Sequence, residues 1–166
     1  LGLVMWVYGA LMLVGAAAGG KDTLQPLRGL NLGLGAGGPA GAPQGVQFKA
    51  VKGPAGLDRE LTAARSGGRP VLLDFYADWC VSCKEMERYT FSDAAVAAEM
   101  ARFVLLKADV TANDEEDQAL MQGRFGIPGP PAMLFFDAQG QERRDRRIVG
   151  FMPAAEFTAH LRGLLP

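Results

Sequence analysis

An almost continuous apolar run leads directly into a pair of cysteines spaced Cys-x-x-Cys. Residues 71–77 read Val-Leu-Leu-Asp-Phe-Tyr-Ala, which is typical of a central strand covered on both faces. Cys80 and Cys83 follow and are the only two cysteines among 166 residues, so the chain is not a small fold held together by several disulfides. We expect Cys80 at the N-terminus of the next helix and Cys83 about one turn further along the same face.

The rest of the chain from residue 46 alternates between strand and helix periods, without an internal repeat. Strands are predicted over residues 46–51, 71–77, 103–108, 132–136 and 146–150. Helices are predicted over residues 57–65, from about 80, from Ser92 as the cap to 100, from Asn113 or Asp114 to about 124, and from Pro153 to about 164. This order predicts an α/β domain over residues 46–166, with a mixed central sheet, helices on both faces and an antiparallel hairpin at one edge. The same pattern assigns seven aromatic residues to the core: Phe75, Tyr76, Tyr89, Phe91, Phe103, Phe135 and Phe136.

The first 45 residues differ sharply from this domain. Residues 1–20 contain no charged residue, and a helix of that length spans about 30 Å, the thickness of a bilayer core. We therefore predict a transmembrane helix there, with a signal peptide or a buried helix of a soluble protein as the alternatives. Residues 21–45 mix Gly, Pro, Ala and Leu without either period, which predicts a flexible linker, with a coil packed along the domain as the alternative.

Composition and charge argue against several classes of function. The net charge is -1 and 21% of the residues are charged, which fits neither a highly charged disordered chain nor a nucleic-acid-binding protein. The basic run at residues 143–147 contains an acidic residue and is predicted to be a solvated strand edge. His160 is the only histidine and is predicted to be an ordinary surface or helix-end residue. One cysteine pair without a nearby histidine is a poor zinc site, because such sites normally need four ligands.

The Cys-x-x-Cys spacing suits thiol–disulfide exchange. Backbone N–H groups and the dipole at a helix N-terminus stabilise a thiolate, so Cys80 is predicted to be the nucleophile that attacks a substrate disulfide. Cys83 is predicted to be the shielded, resolving thiol that attacks the mixed disulfide and releases the product. The spacing lets the two sulfur atoms approach bonding distance.

Two carboxylates and a tryptophan are candidates for the same site. Asp74 lies in the middle of the apolar strand. Burying a charged group costs free energy, so its presence there indicates a functional role. Glu87 lies one helical turn after Cys83. Either carboxylate could accept the proton that Cys83 loses when it attacks, and both would tune the pKa values of the thiols. Trp79 is expected to pack beside the disulfide and to shape the surface that binds the substrate.

Longer motifs around these residues resemble known proteins. The segment DFYADWCVSCK from Asp74 to Lys84 is similar to the active-site segment of thioredoxin-fold proteins. Five motifs resemble one family more closely: YADWCVSCKEME at 76–87, YTFSD at 89–93, DVTAND at 109–114, LFFDAQG at 134–140 and GFM at 150–152. This family is DsbD, the bacterial thiol:disulfide interchange proteins, and residues 46–166 resemble its C-terminal periplasmic domain. Residues 1–20 also fit the end of its last transmembrane helix, and residues 21–45 fit the linker that follows.

The resemblance implies a thioredoxin fold and a protein-disulfide reductase whose only redox group is its own cysteine pair, without metal, flavin or nucleotide. In this family the C-terminal domain receives electrons from cysteines of a transmembrane domain and passes them to an N-terminal periplasmic domain of the same protein. That domain reduces partners such as the disulfide isomerase DsbC and the thioredoxin-like protein of cytochrome c maturation. By resemblance, the chain is expected in a bacterial inner membrane, with residues 21–166 facing the periplasm and without a nucleic-acid partner.

The resemblance also concerns individual residues. Asp74 and Glu87 match the acidic pair near the family's active site, and Pro131 matches the proline that faces the disulfide in thioredoxin folds and is cis. The residue before that proline commonly offers its backbone N–H and C=O to a partner peptide. Here that residue is Pro130, which has no N–H. A weaker peptide-binding site, suited to one or a few dedicated partners, is therefore expected.

Two alternatives stay open at the level of the sequence. The first is a stand-alone, membrane-anchored thioredoxin-like protein without a transmembrane electron carrier, which the sequence upstream of Leu1 would distinguish. The second is a binding module in which Cys80 and Cys83 hold a soft metal ion such as Cu(I). The predicted burial of Asp74 favours thiol proton transfer over metal binding.

Overall fold

Strands from the described part of the chain form one mixed sheet. The computed structural model describes residues 2, 3, 5, 6 and 46–165. In the order β1-β3-β2-β4-β5, strands β1, β3 and β2 run parallel, whereas β4 is antiparallel to β2 and to β5. The strands are β1 (Lys49–Val51), β2 (Val71–Tyr76), β3 (Val104–Asp109), β4 (Ala132–Phe136) and β5 (Ile148–Val149). The predicted α/β fold with a mixed central sheet is confirmed.

Helices connect these strands on both faces of the sheet. They are α1 (Gly53–Ser66), α2 (Val81–Glu85), α3 (Ala94–Met100), α4 (Glu115–Gln118) and α5 (Ala154–Arg162). Helices α2 and α4 continue directly into π-helical turns over Met86–Thr90 and Ala119–Arg124, and a 3-10 turn over Arg144–Arg146 precedes β5. A hydrophobic pattern with the period of an α-helix does not predict such π turns.

The helix starts follow capping chemistry, with two differences from the prediction. Asp93, not Ser92, caps α3, and its carboxylate accepts the backbone N–H groups of the second and third helical residues at 2.9 and 3.1 Å. Asp114 caps α4 as predicted, in a capping box with Asp117. Pro153 is the N-cap residue of α5 and not its first helical residue.

The core packs against both faces of the sheet. Helix α1 and the π-helical turn that follows α4 cover one face of the sheet. Helices α3 and α5, together with the π-helical turn that follows α2, cover the other face. Every residue of β2 and β4 is buried, as expected for central strands. Six of the seven aromatic residues assigned to the core are buried. The assignment is wrong for Tyr89, which is 58% exposed, because the π turn rotates it away from the packed helix face.

The predicted solvated edge at residues 143–147 is wrong for its last two residues. Arg147 is half-buried and donates to both carboxylate oxygens of Glu142, at 2.5 and 3.1 Å. Arg146 donates to the backbone carbonyl of His160 at 3.0 Å, and a ring nitrogen of His160 lies 2.7 Å from the carbonyl of Arg146. These bonds join the turn before β5 to helix α5. His160 lies in the last turn of α5, as the helix-end alternative of its prediction expects, and it is half-buried.

The predicted transmembrane helix over residues 1–20 and the predicted linker over residues 21–45 fall almost entirely outside the described residues. Residues 2, 3, 5 and 6 are helical. Within the described residues, no helix combines the length and the apolar character needed to cross a membrane.

Two loops converge at one edge of the sheet, where the parallel strands end. We call it the carboxyl edge, because the carboxyl ends of the parallel strands lie there: Tyr76 at the end of β2 pairs with Asp109 at the end of β3. The antiparallel strand β4 starts there, because Phe75 pairs with Ala132. The loop after β2 and the loop before β4 therefore meet at the carboxyl edge, which is where loops of α/β folds place functional groups.

Candidate active site

Cys80 and Cys83 lie at the carboxyl edge, where the chain leaves β2 and enters α2. They form a disulfide with their Cα atoms 5.3 Å apart, so the predicted approach of the two sulfur atoms is confirmed. Cys80 is the N-cap residue of α2, and its Sγ accepts the backbone N–H of Cys83 at 3.2 Å. The same N–H is placed to stabilise a Cys80 thiolate once the disulfide is reduced.

The two cysteines differ in their contacts and hardly in exposure. Cys80 is 6% exposed and Cys83 4% exposed, so the expected contrast between an exposed and a shielded residue is not observed. The Sγ atom of Cys83 lies 4.0 Å from the carbonyl oxygen of Phe75 in β2, whereas Cys80 stands at the helix start. Cys83 therefore lies against the strand, as a resolving residue would.

Asp74 precedes Phe75 on β2 and is 5% exposed, as the sequence predicted. Burial raises the pKa of Asp74 to about 7; attraction by Lys107 lowers it and repulsion by Glu87 raises it. A carboxyl group with a pKa near 7 can take up and release a proton at neutral pH, which a general base requires. Its part in proton transfer stays a prediction.

Lys107 is a residue of this site that the sequence reasoning missed. The parallel register of β2 and β3 puts it directly beside Asp74. Its ammonium group forms an ion pair with the carboxylate of Glu87 at 2.9 Å. Glu87 is therefore a paired carboxylate, and its predicted part in proton transfer stays a prediction. A signal for Lys107 existed: Asp74 and Lys107 are each the fourth residue of a mostly apolar strand, so two opposite charges interrupt neighbouring strands at the same depth.

Trp79 is exposed and directly precedes Cys80, and a hydrogen bond fixes its indole ring. The indole N–H donates to the carbonyl of Thr111 at 3.2 Å. One residue earlier, the backbone N–H of Asp78 donates to the hydroxyl of Thr111 at 2.9 Å. The turn before Cys80 is thereby tied to the loop after β3, which holds the large apolar ring at the surface next to the disulfide. The predicted substrate-binding role of Trp79 stays a prediction.

The peptide bond between Pro130 and Pro131 is cis, as expected. Pro131 is buried and Pro130 half-buried. The register places this bond beside the disulfide, because Ala132, the next residue, pairs with Phe75, whose carbonyl oxygen faces Cys83. The predicted role of the two prolines in substrate binding stays a prediction.

The arrangement suits two-electron thiol–disulfide exchange. The cysteine pair itself stores the two electrons as a dithiol and releases them on forming the disulfide, so this chemistry needs no further redox group. Asp74, a buried carboxyl group with a pKa of about 7, lies on β2, the strand that leads into the cysteine pair. In the described part of the chain, no group of three or more His, Cys, Asp or Glu side chains is arranged to hold a metal ion.

Comparisons with known proteins lead to the same chemistry. DsbD of Ralstonia nicotianae, a thiol:disulfide interchange protein, is 53% identical over 99% of this chain. The chain spans about a quarter of the length of the curated relatives that it matches, 26% in that case. Residues 57–164 match the thioredoxin-like domain family.

Solved structures give the same assignment for the fold. The crystal structure of the oxidised DsbD C-terminal domain of Neisseria meningitidis matches with a TM-score of 0.59 and 35% identity, over 69% of this chain and 98% of that domain. A thioredoxin from Thermus thermophilus matches with a TM-score of 0.57 and 27% identity, over 70% of this chain and 86% of that protein. The chain therefore belongs to the thioredoxin-like domain family, and within it to the C-terminal domains of the DsbD family.

Proposed function

We propose that residues 46–166 are a protein-disulfide reductase domain that passes two electrons from a membrane-embedded dithiol to disulfides of periplasmic proteins. The observation that carries this proposal is the Cys80–Cys83 disulfide at the start of α2, directly after strand β2 with its buried Asp74. The curated relatives are named thiol:disulfide interchange proteins, which supports the same class of reaction for this chain.

The reaction starts from the reduced domain. The Cys80 thiolate attacks one sulfur of the partner's disulfide, forms a mixed disulfide and releases the other partner sulfur as a thiolate, which takes up a proton. Cys83 gives its proton to Asp74 and attacks Cys80, so that the mixed disulfide breaks and the Cys80–Cys83 disulfide forms. The second partner sulfur leaves as a thiolate and takes up a proton, so the partner is released as a dithiol, two electrons richer. A membrane dithiol then reduces the domain by the same steps in reverse.

The setting proposed for this reaction is the periplasmic face of a bacterial inner membrane. Residues 1–20 are proposed to span the membrane, and residues 21–45 to connect that helix to the reductase domain. Because the chain spans about a quarter of its curated relatives, their remaining length has room for an electron carrier and an N-terminal domain. The proposed partners are these domains and, through them, periplasmic thioredoxin-like proteins of disulfide isomerisation and cytochrome c maturation.

The midpoint potential of the Cys80–Cys83 pair tests this proposal. It would be measured in a thiol redox buffer on residues 46–166, the part whose counterpart in Neisseria meningitidis was solved as a separate domain. A potential near or below about −200 mV is expected, because an electron donor must lie on the thioredoxin side of the known range. A potential near about −120 mV, where strong oxidants lie, would mean that the pair donates disulfides instead.

Pro130 is expected to restrict which disulfides the domain reduces. A peptide that adds as an extra strand beside Pro130 finds a carbonyl acceptor and no N–H donor. A Pro130→Thr variant restores that donor and is expected to reduce an unrelated disulfide peptide about fivefold faster, the worth of roughly one hydrogen bond. The exposed Pro128 of the same loop provides the matched control, Pro128→Thr, which should change nothing. Equal rates for wild type and Pro130→Thr would rule out this account of specificity.

A further inference from the structure

Two of the sequence motifs meet in the structure, although the exchange chemistry uses neither. They are YTFSD at 89–93 and GFM at 150–152. The hydroxyl group of Thr90 donates to the backbone carbonyl of Met152 at 2.6 Å. The backbone N–H of Met152 donates to the Sδ atom of Met86 at 3.3 Å. Both backbone polar groups of Met152 are therefore bound by the π turn that continues the active-site helix.

The two side chains that make these contacts are buried, whereas Met152 is half-buried. Met86 is 1% exposed and Thr90 is fully buried. Leaving a buried polar group without its hydrogen-bond partner costs more free energy than the hydrogen bond contributes to stability, because water does not replace the missing partner. The two side chains start three and seven residues after Cys83, so one continuous helical segment carries both the redox pair and this anchor.

The anchored segment carries apolar side chains at the carboxyl edge of the sheet, two strands away from the end of β2 that leads into the cysteine pair. Val149 pairs with Ala132, and the N–H of Gly150 donates to the carbonyl of Pro131 at 3.0 Å. Gly150 has a φ of 94°, a conformation that side chains rarely adopt, so the chain turns sharply at this residue. On either side of it, Val149 is 67% exposed and Phe151 is 42% exposed. Large exposed apolar side chains beside a reactive group are typical of a surface that binds another protein.

We propose that Met86 and Thr90 are positioning residues that fix residues 149–152 at the carboxyl edge, and so determine how fast the domain reacts with protein disulfides. The partner class is a protein whose disulfide is flanked by apolar side chains, which contact Val149 and Phe151 while Cys80 attacks. A small disulfide reaches Cys80 without touching these residues. This inference rests on the proposed reductase function.

A Thr90→Val variant tests the inference, because it keeps the shape of the side chain and removes its donor. Rates would be measured for the reduced chain with insulin, a protein disulfide, and with 5,5′-dithiobis(2-nitrobenzoate), a small one. For insulin we expect the second-order rate constant of this single-turnover reaction to fall at least about fivefold, as the loss of one hydrogen bond predicts. The rate with the small disulfide should change less than about twofold, which a damaged redox centre would not allow.

Two controls separate positioning from general destabilisation. Thr90→Ser keeps the hydroxyl donor and should restore the insulin rate. Thr158→Val removes a comparable hydroxyl, which is buried and donates to the carbonyl of Ala154 at 2.9 Å within α5, and should leave both rates unchanged. If Thr90→Val does not fold, Met86→Leu replaces it, because leucine has a similar volume and lacks the sulfur acceptor. Its rates with insulin and with the small disulfide would then test the inference.

Each remaining outcome is decisive. Wild-type rates in Thr90→Val, an equal loss with both disulfides, or the same loss in Thr158→Val would each overturn the inference and leave the proposed function intact. A wild-type chain that reduces the small disulfide but not insulin would also overturn it, because residues 149–152 then give a protein disulfide no advantage. A wild-type chain that reduces neither disulfide would count against the proposed function itself.

Discussion

Replacing Cys80 by Ala is expected to abolish disulfide exchange, lowering the rate at least about a thousandfold, because the reaction then lacks its nucleophile. Cys83→Ala should behave differently. Cys80 keeps its place at the start of α2 and still attacks, but nothing resolves the mixed disulfide that results. The reduced Cys83→Ala variant is therefore expected to accumulate a covalent adduct with a protein disulfide such as insulin. Mass spectrometry without reducing agent would detect that adduct and its absence in Cys80→Ala.

Ser82, which lies between the two cysteines, provides the matched control. A Ser82→Ala variant changes a neighbouring polar side chain of the same helix turn and should exchange at the wild-type rate without accumulating an adduct. If Cys80→Ala accumulated the adduct and Cys83→Ala did not, the two cysteines would have the opposite roles. That result would contradict the reading of the contact between Cys83 and the Phe75 carbonyl as the mark of a resolving residue.

The residues that could be predicted from sequence are those that interrupt a local pattern. Asp74 is conspicuous because it is a charge inside an apolar strand, and the cysteine pair because it directly follows that strand. Strand and helix alternation is also local, which is why the order of elements and the mixed sheet were predictable. Lys107 and its ion pair with Glu87 depend on the register between strands that are far apart in sequence, and no local pattern contains that register.

The wrong predictions have local physical causes. The π turn at residues 86–90 inserts an extra residue into the helical repeat, so Tyr89 faces solvent where a regular α-helix would bury it. Arg146 and Arg147 are half-buried because backbone carbonyls and the Glu142 carboxylate accept their N–H groups. Charged side chains are rarely buried unless such acceptors are present, and the sequence does not reveal which carbonyls will be close.

Asp74→Asn is expected to make the domain more stable at pH 8 and about equally stable at pH 4. The pKa of Asp74 is about 7 in the folded protein, against an ordinary value of 3.8. The folded state therefore keeps a proton that the unfolded state loses as the pH rises from about 4 to about 7. Over that range the stability contributed by the protonated group is lost, in total roughly 4 kcal/mol if the whole shift acts on folding. Asparagine does not titrate, so the variant should lack this decline.

The free energy of unfolding of the oxidised domain, from denaturant titrations at pH 4, 6 and 8, would show the difference. Asp58→Asn is the control, since Asp58 is an exposed carboxylate paired with Arg124 at 2.7 Å and should leave the pH profile unchanged. Lys107→Met provides a second check. It removes the attraction that lowers the pKa of Asp74 in the folded protein, so the decline in stability should begin at the same pH, extend to higher pH and become larger. A gap between wild type and Asp74→Asn that did not vary with pH would mean that folding does not shift the pKa of Asp74.

The same burial that destabilises the ionised Asp74 makes it useful as a base. A carboxylate with an ordinary pKa is a weak proton acceptor at neutral pH, whereas one with a pKa near 7 accepts a proton from a thiol more readily. Asp74→Asn should therefore be slower as well as more stable, with the loss confined to the attack by Cys83 that releases the partner. We expect that step to slow by about a hundredfold, the usual contribution of a positioned base, while formation of the mixed disulfide by Cys80 is far less affected. Quenched-flow measurement of the mixed disulfide would resolve the two steps. An Asn variant that is more stable but resolves at the wild-type rate would leave Asp74 a costly buried acid without a part in proton transfer.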